Sequence, residues 1–255
     1  VYREKASRNE LAESLGLLAE AIHAHTGKLP VILIDEYDQP ITTASVYGFY
    51  DEMCSFMRVF LSGALKDNEH CHMGLMTGVL RVAKEGILSG LNNLEVRTVF
   101  DEKFSQYFGF TEDEVETMAK YYGAADKLPE IREWYDGYRF GGAEIYNPWS
   151  VTKYFLEDCT PRPYWLNTSS NDIVNEIIDK MPYQMWHTLK ALMEGEAVSV
   201  SVTPELGPYT QLRQNEDSLY ALLVSTGYLK PESGIVNGRC AVRIPNREVE
   251  TAFAQ

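Results

Sequence analysis

The chain has 255 residues, of which 45% are apolar and 12% aromatic, enough for one large or two ordinary domains with a full core. Its net charge of −14 is spread, with 12 basic and 20 acidic residues in Val1–Leu128 and 11 and 17 in the rest, so nucleic-acid binding is not supported by charge. No apolar run approaches the ~20 residues of a bilayer span, and no basic segment followed by an apolar one opens the chain, so membrane and secretion are not indicated and a cytoplasmic location is expected.

Ser7 with Glu10 predicts a capped helix whose inward stripe is Leu11, Leu15, Leu18 and Ile22, closed by Gly27. Val31–Ile34, entered through Pro30 and mostly β-branched, predicts a central parallel strand covered on both faces. Tyr47, Tyr50, Cys54, Met57, Leu61 and Leu65 recur in steps of three and four, predicting one long buried helix from Thr43 to Leu65. Met73–Met76 and Val96–Phe100 read as further strands, and strand, helix, strand at this spacing is a βαβ unit. Thr111 with Glu114 predicts another capped helix, inward at Val115, Met118 and Tyr122, stopped by Gly123.

Beyond Asp126 the elements shorten. Pro129 opens a short helix, Tyr138–Tyr146 reads as a hairpin around Gly141 and Gly142, and Asn147 with Pro148 starts a helix carrying Val151 and Phe155. Helices are expected from Ser170, with Ile173 and Ile177 inward, and from Pro182, with Leu189 and Leu192 inward. Val198, Val200 and Val202 alternate with polar residues, predicting a strand with one wet face. A helix with Leu219, Leu222 and Leu223, a hairpin turning at Asn237 and Gly238, and a return strand Arg239–Ile244 suggest a winged-helix-like unit, followed by a helix from Asn246. The fold class expected is α/β: a partial P-loop-NTPase-like parallel sheet with helices in residues 1–125, then a helical and winged-helix-like lid domain in residues 126–255.

Chemistry concentrates where Val31–Ile34 runs into Asp35 and Glu36. Four apolar residues followed by two acids is the Walker B pattern of P-loop ATPases that carry a second, catalytic acid. In such a site Asp35 would hold Mg²⁺ through its water shell and Glu36 would polarise the attacking water. Neighbouring acids on a strand point to opposite faces, which gives two neighbours two roles. Thr77, ending the next strand, stands where a sensor would touch the γ-phosphate or the lytic water, and Arg81 follows as a candidate phosphate sensor. A phosphate-cradling GxxxxGK[ST] loop does not occur in these residues, and Thr26-Gly27-Lys28 reads as a helix C-cap.

Other constellations point to structure first. Four cysteines without CxxC spacing fit reduced thiols. His70 and His72 would share a strand face and suggest a metal pair, but no further close ligand is visible, and His23 and His25 face different ways on a helix and read as solvent residues. The aromatic run from Trp134 to Phe140 is expected to supply core area before any binding surface. Arg239, Arg243 and Arg247, diluted by Glu248 and Glu250, read as a solvated face or an intramolecular interface. Asp35, Glu36 and Asp38 acting alone as a metal-dependent nuclease site is the weaker alternative.

VILIDEYDQPI (Val31–Ile41), TGVLRVAKEGILSGLNNL (Thr77–Leu94), FGFTEDEV (Phe108–Val115), WYDGYRFGGAEIYNPWSV (Trp134–Val151) and WLNTSSN (Trp165–Asn171) together resemble the predicted AAA-ATPase-like family of bacteria. The likeness extends to GYL (Gly227–Leu229) and IPNREV (Ile244–Val249). It implies an AAA-like ATPase core with a helical and winged-helix-like lid, in which Asp35 and Glu36 match the Walker B acids. It also implies a P-loop upstream of Val1 and, in many members, a PD-(D/E)XK nuclease-like domain downstream of Gln255. The chain is therefore expected to be a fragment. Mg²⁺ and ATP are expected cofactors of the intact protein only, and the fragment is expected to bind ATP weakly or not at all. The alternative is a non-catalytic regulatory or protein-interaction module on a degraded ATPase fold.

Overall fold

The computed structural model describes residues 6–79, 91, 94–166, 183–202 and 216–253. They form two compact units, divided between Val96 and Arg97. No helix among the described residues is long and apolar enough to cross a membrane, and all four cysteines are free.

In the first unit, α1 (Arg8–Thr26) begins at the expected capping box: Ser7 Oγ accepts the Glu10 N–H at 3.3 Å and the Glu10 carboxylate accepts the Ser7 N–H at 2.8 Å. It ends at Gly27, whose φ of 67° is left-handed and whose N–H donates to the His23 carbonyl, confirming the C-cap. The buried face, however, is not the large-residue stripe. Leu11, Leu18 and Ile22 are exposed, while Ala12 and Ala19 are buried. The cause is close helix approach: a Cβ on Gly16 would stand 2.8 Å from the Gly63 carbonyl oxygen of α3 (Tyr50–Leu65). Small residues let the two backbones meet; of the expected stripe Leu15 still packs against the core of Ala19, Ile32 and Ala64, and Leu11, Leu18 and Ile22 are turned outward.

β1 (Val31–Ile34) pairs in parallel with β2 (Met73–Met76), Val31 opposite Met73 through Ile34 opposite Met76. The connection runs through α2 (Gln39–Tyr47) and α3, as a βαβ unit requires. The single helix expected over Thr43–Leu65 is thus two, because Gly48 (φ 81°) closes α2 with its N–H on the Ala44 carbonyl. α3 buries Cys54, Met57 and Leu61 as its periodicity predicts, and Tyr47, cut off in α2, is exposed. β1 is covered on one face, not both. Ile32 is buried with Ala19 and Ala64, whereas Val31 and Leu33, with their partners Met73 and Leu75, are exposed.

Val96–Phe100 forms no third strand. The Asp101 carboxylate accepts the Thr98 N–H and hydroxyl at 2.7 and 2.9 Å, and the Asp101 N–H returns to the Thr98 carbonyl at 3.0 Å. This local turn takes the backbone groups that a sheet ladder would use.

In the second unit, α4 (Glu112–Tyr121), α5 (Leu128–Tyr135) and α6 (Pro148–Leu156) share one core of Val115, Ala119, Ile131, Tyr135, Val151 and Tyr154. α4, placed by sequence in the first domain, packs here. The hairpin β3 (Tyr138–Phe140) and β4 (Ala143–Ile145) forms where expected. Tyr135 and Tyr138 are buried, and the Tyr135 hydroxyl donates to the Arg162 carbonyl at 3.1 Å and accepts the Arg162 N–H at 3.0 Å. Gly137 (φ 102°) lies so close to the Pro245 carbonyl that any side chain would collide with it.

The helix expected from Ser170, with Ile173 and Ile177, and the start at Pro182 lie outside the described residues. α7 (Tyr183–Met193) buries Leu189 and Leu192, and α8 (Glu216–Ser225) buries Leu219, Leu222 and Leu223. β5 (Val198–Ser201), β6 (Lys230–Pro231) and β7 (Arg239–Arg243) make an antiparallel sheet in the order β5-β7-β6. Asn237 and Gly238 both have positive φ, 52° and 74°, as a type I′ hairpin turn requires. The three arginines are engaged internally: Arg239 with Ser199, Arg243 with Glu232 at 2.6 Å, Arg247 with Glu133 at 2.8 Å. The stretch reads as a solvated face or an intramolecular interface, and Glu248 takes the second: it is fully buried in α9 (Arg247–Phe253) and accepts the Ser150 hydroxyl and the Trp165 N–H, each at 2.7 Å. Burial pushes its pKa above the ordinary carboxylate value.

Two outcomes are expected. On helix propensity alone, Gly16→Ala would stabilise by about 1 kcal/mol; its Cβ meets backbone, so urea unfolding is expected to show a net loss of about 1–2 kcal/mol instead, and a gain would refute the close packing. For Glu248, a raised native pKa means the folded chain holds a proton that the unfolded chain has released. Stability from this group is complete below the unfolded-chain pKa and is lost as pH rises through the folded value. Urea unfolding from the ordinary glutamate range up to neutrality should show the wild type losing stability relative to Glu248→Gln, and parallel pH curves would exclude this group as the cause.

Candidate functional site

The carboxyl ends of β1 and β2 lie side by side, and the ladder continues past both strands. The Thr77 N–H donates to the Ile34 carbonyl at 2.9 Å, and the Tyr37 N–H donates to the Thr77 carbonyl at 2.9 Å. These two bonds pin the turn Asp35–Asp38 against Thr77. Within it, the Thr77 hydroxyl donates to Asp35 Oδ1 in a short hydrogen bond. The Glu36 N–H stands 3.1 Å from Asp35 Oδ1 and 3.3 Å from Thr77 Oγ1 and is shared between them. Asp35 and Glu36 are exposed and Thr77 is half-buried, so the cluster is open to solvent.

Glu36 has a φ of 50°, in the left-handed region. For a residue with a side chain this costs on the order of 1 kcal/mol and persists where neighbouring bonds hold it. Here the holding bonds are those of its N–H and the Gln39 N–H to its carbonyl, at 3.0 Å. The alternation of a strand would have sent the two acids to opposite faces, but β1 ends at Ile34 and a tight turn orients Glu36 instead.

Three of the four residues singled out by sequence, Asp35, Glu36 and Thr77, are brought together; Arg81 lies outside the described residues. Sequence reasoning missed Gly78. A Cβ there would stand 2.6 Å from both Asp38 Oδ1 and the Tyr37 ring, so the absence of a side chain lets β2 run past this turn. The Thr-Gly pair ending an apolar run was the available signal. Asp38 is buried, and its carbonyl accepts the Ile41 and Thr42 N–H groups at 3.1 and 2.9 Å to start α2. It does not join Asp35 and Glu36, and no group of three metal-ligating side chains exists among the described residues. The unaided nuclease site therefore lacks its third acid.

Asp35 takes both of its hydrogen bonds on Oδ1. An exposed carboxylate of hard oxygen donors suits Mg²⁺ held through water, since that ion keeps most of its hydration and takes few direct protein ligands. The residues present fit such an ion.

The cluster of Asp35, Glu36 and Thr77 stands at the carboxyl ends of two parallel strands, the edge at which open α/β sheets carry their ligand sites. Residues 1–88 match the AAA-ATPase-like family, described as "Predicted AAA-ATPase", so the likeness read from the sequence is shown over that stretch. The chain is also similar to the "Uncharacterized protein in vnfD 5'region" of Azotobacter chroococcum mcd 1, with 28% identity over 256 residues covering 97% of this chain and 46% of the relative. It spans about half the length of that relative. No solved structure matches it.

Thr77→Val keeps the β-branched shape and removes the hydroxyl. Loss of its bonds at Asp35 and Glu36 is expected to cost about 1 kcal/mol in urea unfolding, with Thr77→Ser recovering most of it. Equal stability of the three proteins would show that these bonds hold nothing.

Proposed function

We propose that this chain carries the Walker B half of an ATP-hydrolysing site in an AAA-like ATPase. The observation that supports this best is the hydrogen-bonded Asp35–Thr77 pair across the ends of two parallel strands, with Glu36 fixed beside it on the rim. Asp35 would hold the water shell of Mg²⁺, which when bound neutralises charge on the β- and γ-phosphates. Glu36 would accept a hydrogen bond from the attacking water and draw its proton away, and Thr77 would orient that water or the γ-phosphate. Arg81 would stabilise charge on the phosphate. The Gly-rich loop that cradles the phosphates is assigned to a part of a longer protein, in keeping with the greater length of the Azotobacter relative.

An ATPase-like core followed by a lid belongs to the same proposal, with α4 counted in the lid and the boundary moved from residue 125 to that between the two units. Its winged-helix-like part is supported by the β5-β7-β6 order and the type I′ turn, and a fused nuclease-like domain is its proposed partner. The second reading is a non-catalytic regulatory or protein-interaction module on a degraded ATPase fold.

Glu36→Gln decides between them in a longer protein that supplies a phosphate loop. Removing a positioned general base is expected to lower ATP turnover at least about 100-fold while ATP binding persists. Unchanged turnover would overturn the catalytic role. Absence of both ATP binding and turnover in the wild type would favour the non-catalytic module.

A further inference from the structure

Two histidines that lie 47 positions apart in the sequence meet in the first unit. His23, in the last turn of α1, and His70, in the loop between α3 and β2, face each other with their Nδ1 atoms 3.0 Å apart, ring centroids 5.3 Å apart and planes at 54°. Both are half-buried. The sequence pairs His70 with His72 instead, but His70 and His72 both precede β2, so no shared strand face exists.

We propose that His23 and His70 form a two-imidazole site for a divalent transition metal of the Zn²⁺, Ni²⁺ or Cu²⁺ class. With metal–nitrogen bonds of about 2.1 Å, two nitrogens at this separation subtend about 90° at the ion, and opening them by roughly 0.4 Å gives the tetrahedral angle. Without metal the same approach is an N–H···N bond, which needs one ring as donor and the other as acceptor. When a metal binds, the donor ring's proton moves from Nδ1 to its own Nε2, and both Nδ1 lone pairs then face the ion.

The backbone on each side is already fixed. The His23 carbonyl takes the Gly27 N–H at the C-cap, and α1 is locked on α3 through Gly16 and Gly63. The His70 N–H donates to Asn68 Oδ1 at 2.9 Å, and Asn68 Nδ2 donates to the Ala64 carbonyl at 2.8 Å, tying the loop to the end of α3. Such preorganisation lowers the ordering cost of binding. Glu69 lies 3.8 Å from Nε2 of His70, on the ring edge away from His23.

No third His, Cys, Asp or Glu completes a cluster among the described residues, so water would fill the remaining positions. Imidazole selects Zn²⁺, Ni²⁺ and Cu²⁺ over Mg²⁺, which sets this site apart from the carboxylate at Asp35. The two also lie at opposite ends of the strand pair. The His72 N–H donates to the Pro30 carbonyl at 2.9 Å just before the strands, and the Thr77 N–H to Ile34 just after them.

Calorimetric titration of the 255-residue chain with Zn²⁺ and Ni²⁺, in a non-coordinating buffer at about pH 7.5, tests this, since metal must displace the imidazole protons. One ion per chain is expected, weakened at least about tenfold in His23→Ala and His70→Gln and unchanged in His25→Ala and His72→Ala, because two-point chelation depends on both rings. No binding at millimolar metal, or binding indifferent to His23 and His70, would overturn the proposal. Long-range ¹H–¹⁵N spectra of the wild type give a measurement that needs no variant. Zn²⁺ should shift the Nδ1 resonances of His23 and His70, and shifts confined to His25 or His72 would also overturn it.

Discussion

The parallel pairing of β1 with β2 is the constraint on which the first unit depends. Parallel strands cannot be joined by a tight turn, so the intervening chain must cross over, and it does so through α2 and α3. That crossover buries Ile32 against Ala19 and Ala64, which in turn presses α1 onto α3. Because Thr77, one residue past β2, bonds both to Ile34 at the end of β1 and to Tyr37 in the turn that follows, it cannot move without breaking those bonds. The geometry at Asp35 and Glu36 is thus a product of main-chain pairing, with the side-chain bonds of Thr77 added to it.

The second unit is fixed by a different device. Three of its buried or half-buried polar side chains are paired over long sequence separations: Glu248 with Ser150 and the Trp165 N–H, and the Tyr135 hydroxyl with the backbone of Arg162. The Asn246 side chain donates to the Asp136 carbonyl at 2.8 Å while its oxygen accepts the Val249 N–H at 3.0 Å to start α9. Each such bond contributes about 1 kcal/mol, but an orphaned partner costs more, so the set favours one arrangement over near alternatives. The motif from Trp134 to Val151 belongs to this framework, which is why Tyr135, Tyr138 and Tyr146 lie inside, while Trp149 is exposed.

What the sequence told correctly was local. Capping boxes at Ser7 and Thr111, the Asn147 cap, the Gly27 stop and the Asn237–Gly238 turn depend on neighbours within four residues, and each formed as expected. Failures came where a distant partner decided. The large-residue stripe of α1 lost to a small-residue face because Gly63, far along the chain, demanded a close approach. Which of the two readings of the stretch around Glu248 holds, solvated face or intramolecular interface, is decided by its remote partners Ser150 and Trp165. At the candidate site, Asp35, Glu36 and Thr77 were recognisable from strand-end chemistry, whereas the role of Gly78 and the pairing of His23 with His70 needed the fold.

The strand pair also bears on how the two candidate sites relate. Four residues at about 3.3 Å each separate their ends by roughly 13 Å. The carboxylate end carries a residue held at positive φ, and the histidine end is tied by Asn68 and the α1 C-cap. Between them lies main-chain pairing that tolerates little stretching, since a register slip would turn Ile32 out of the core and Leu33 into it. An ion gripped by His23 and His70 would hold α1 and the entry to β2 in place without altering the chemistry at Asp35. The ligand preferences of the two proposed sites are therefore separate: nitrogen donors for a transition metal at one end, oxygen donors for a hydrated hard cation at the other.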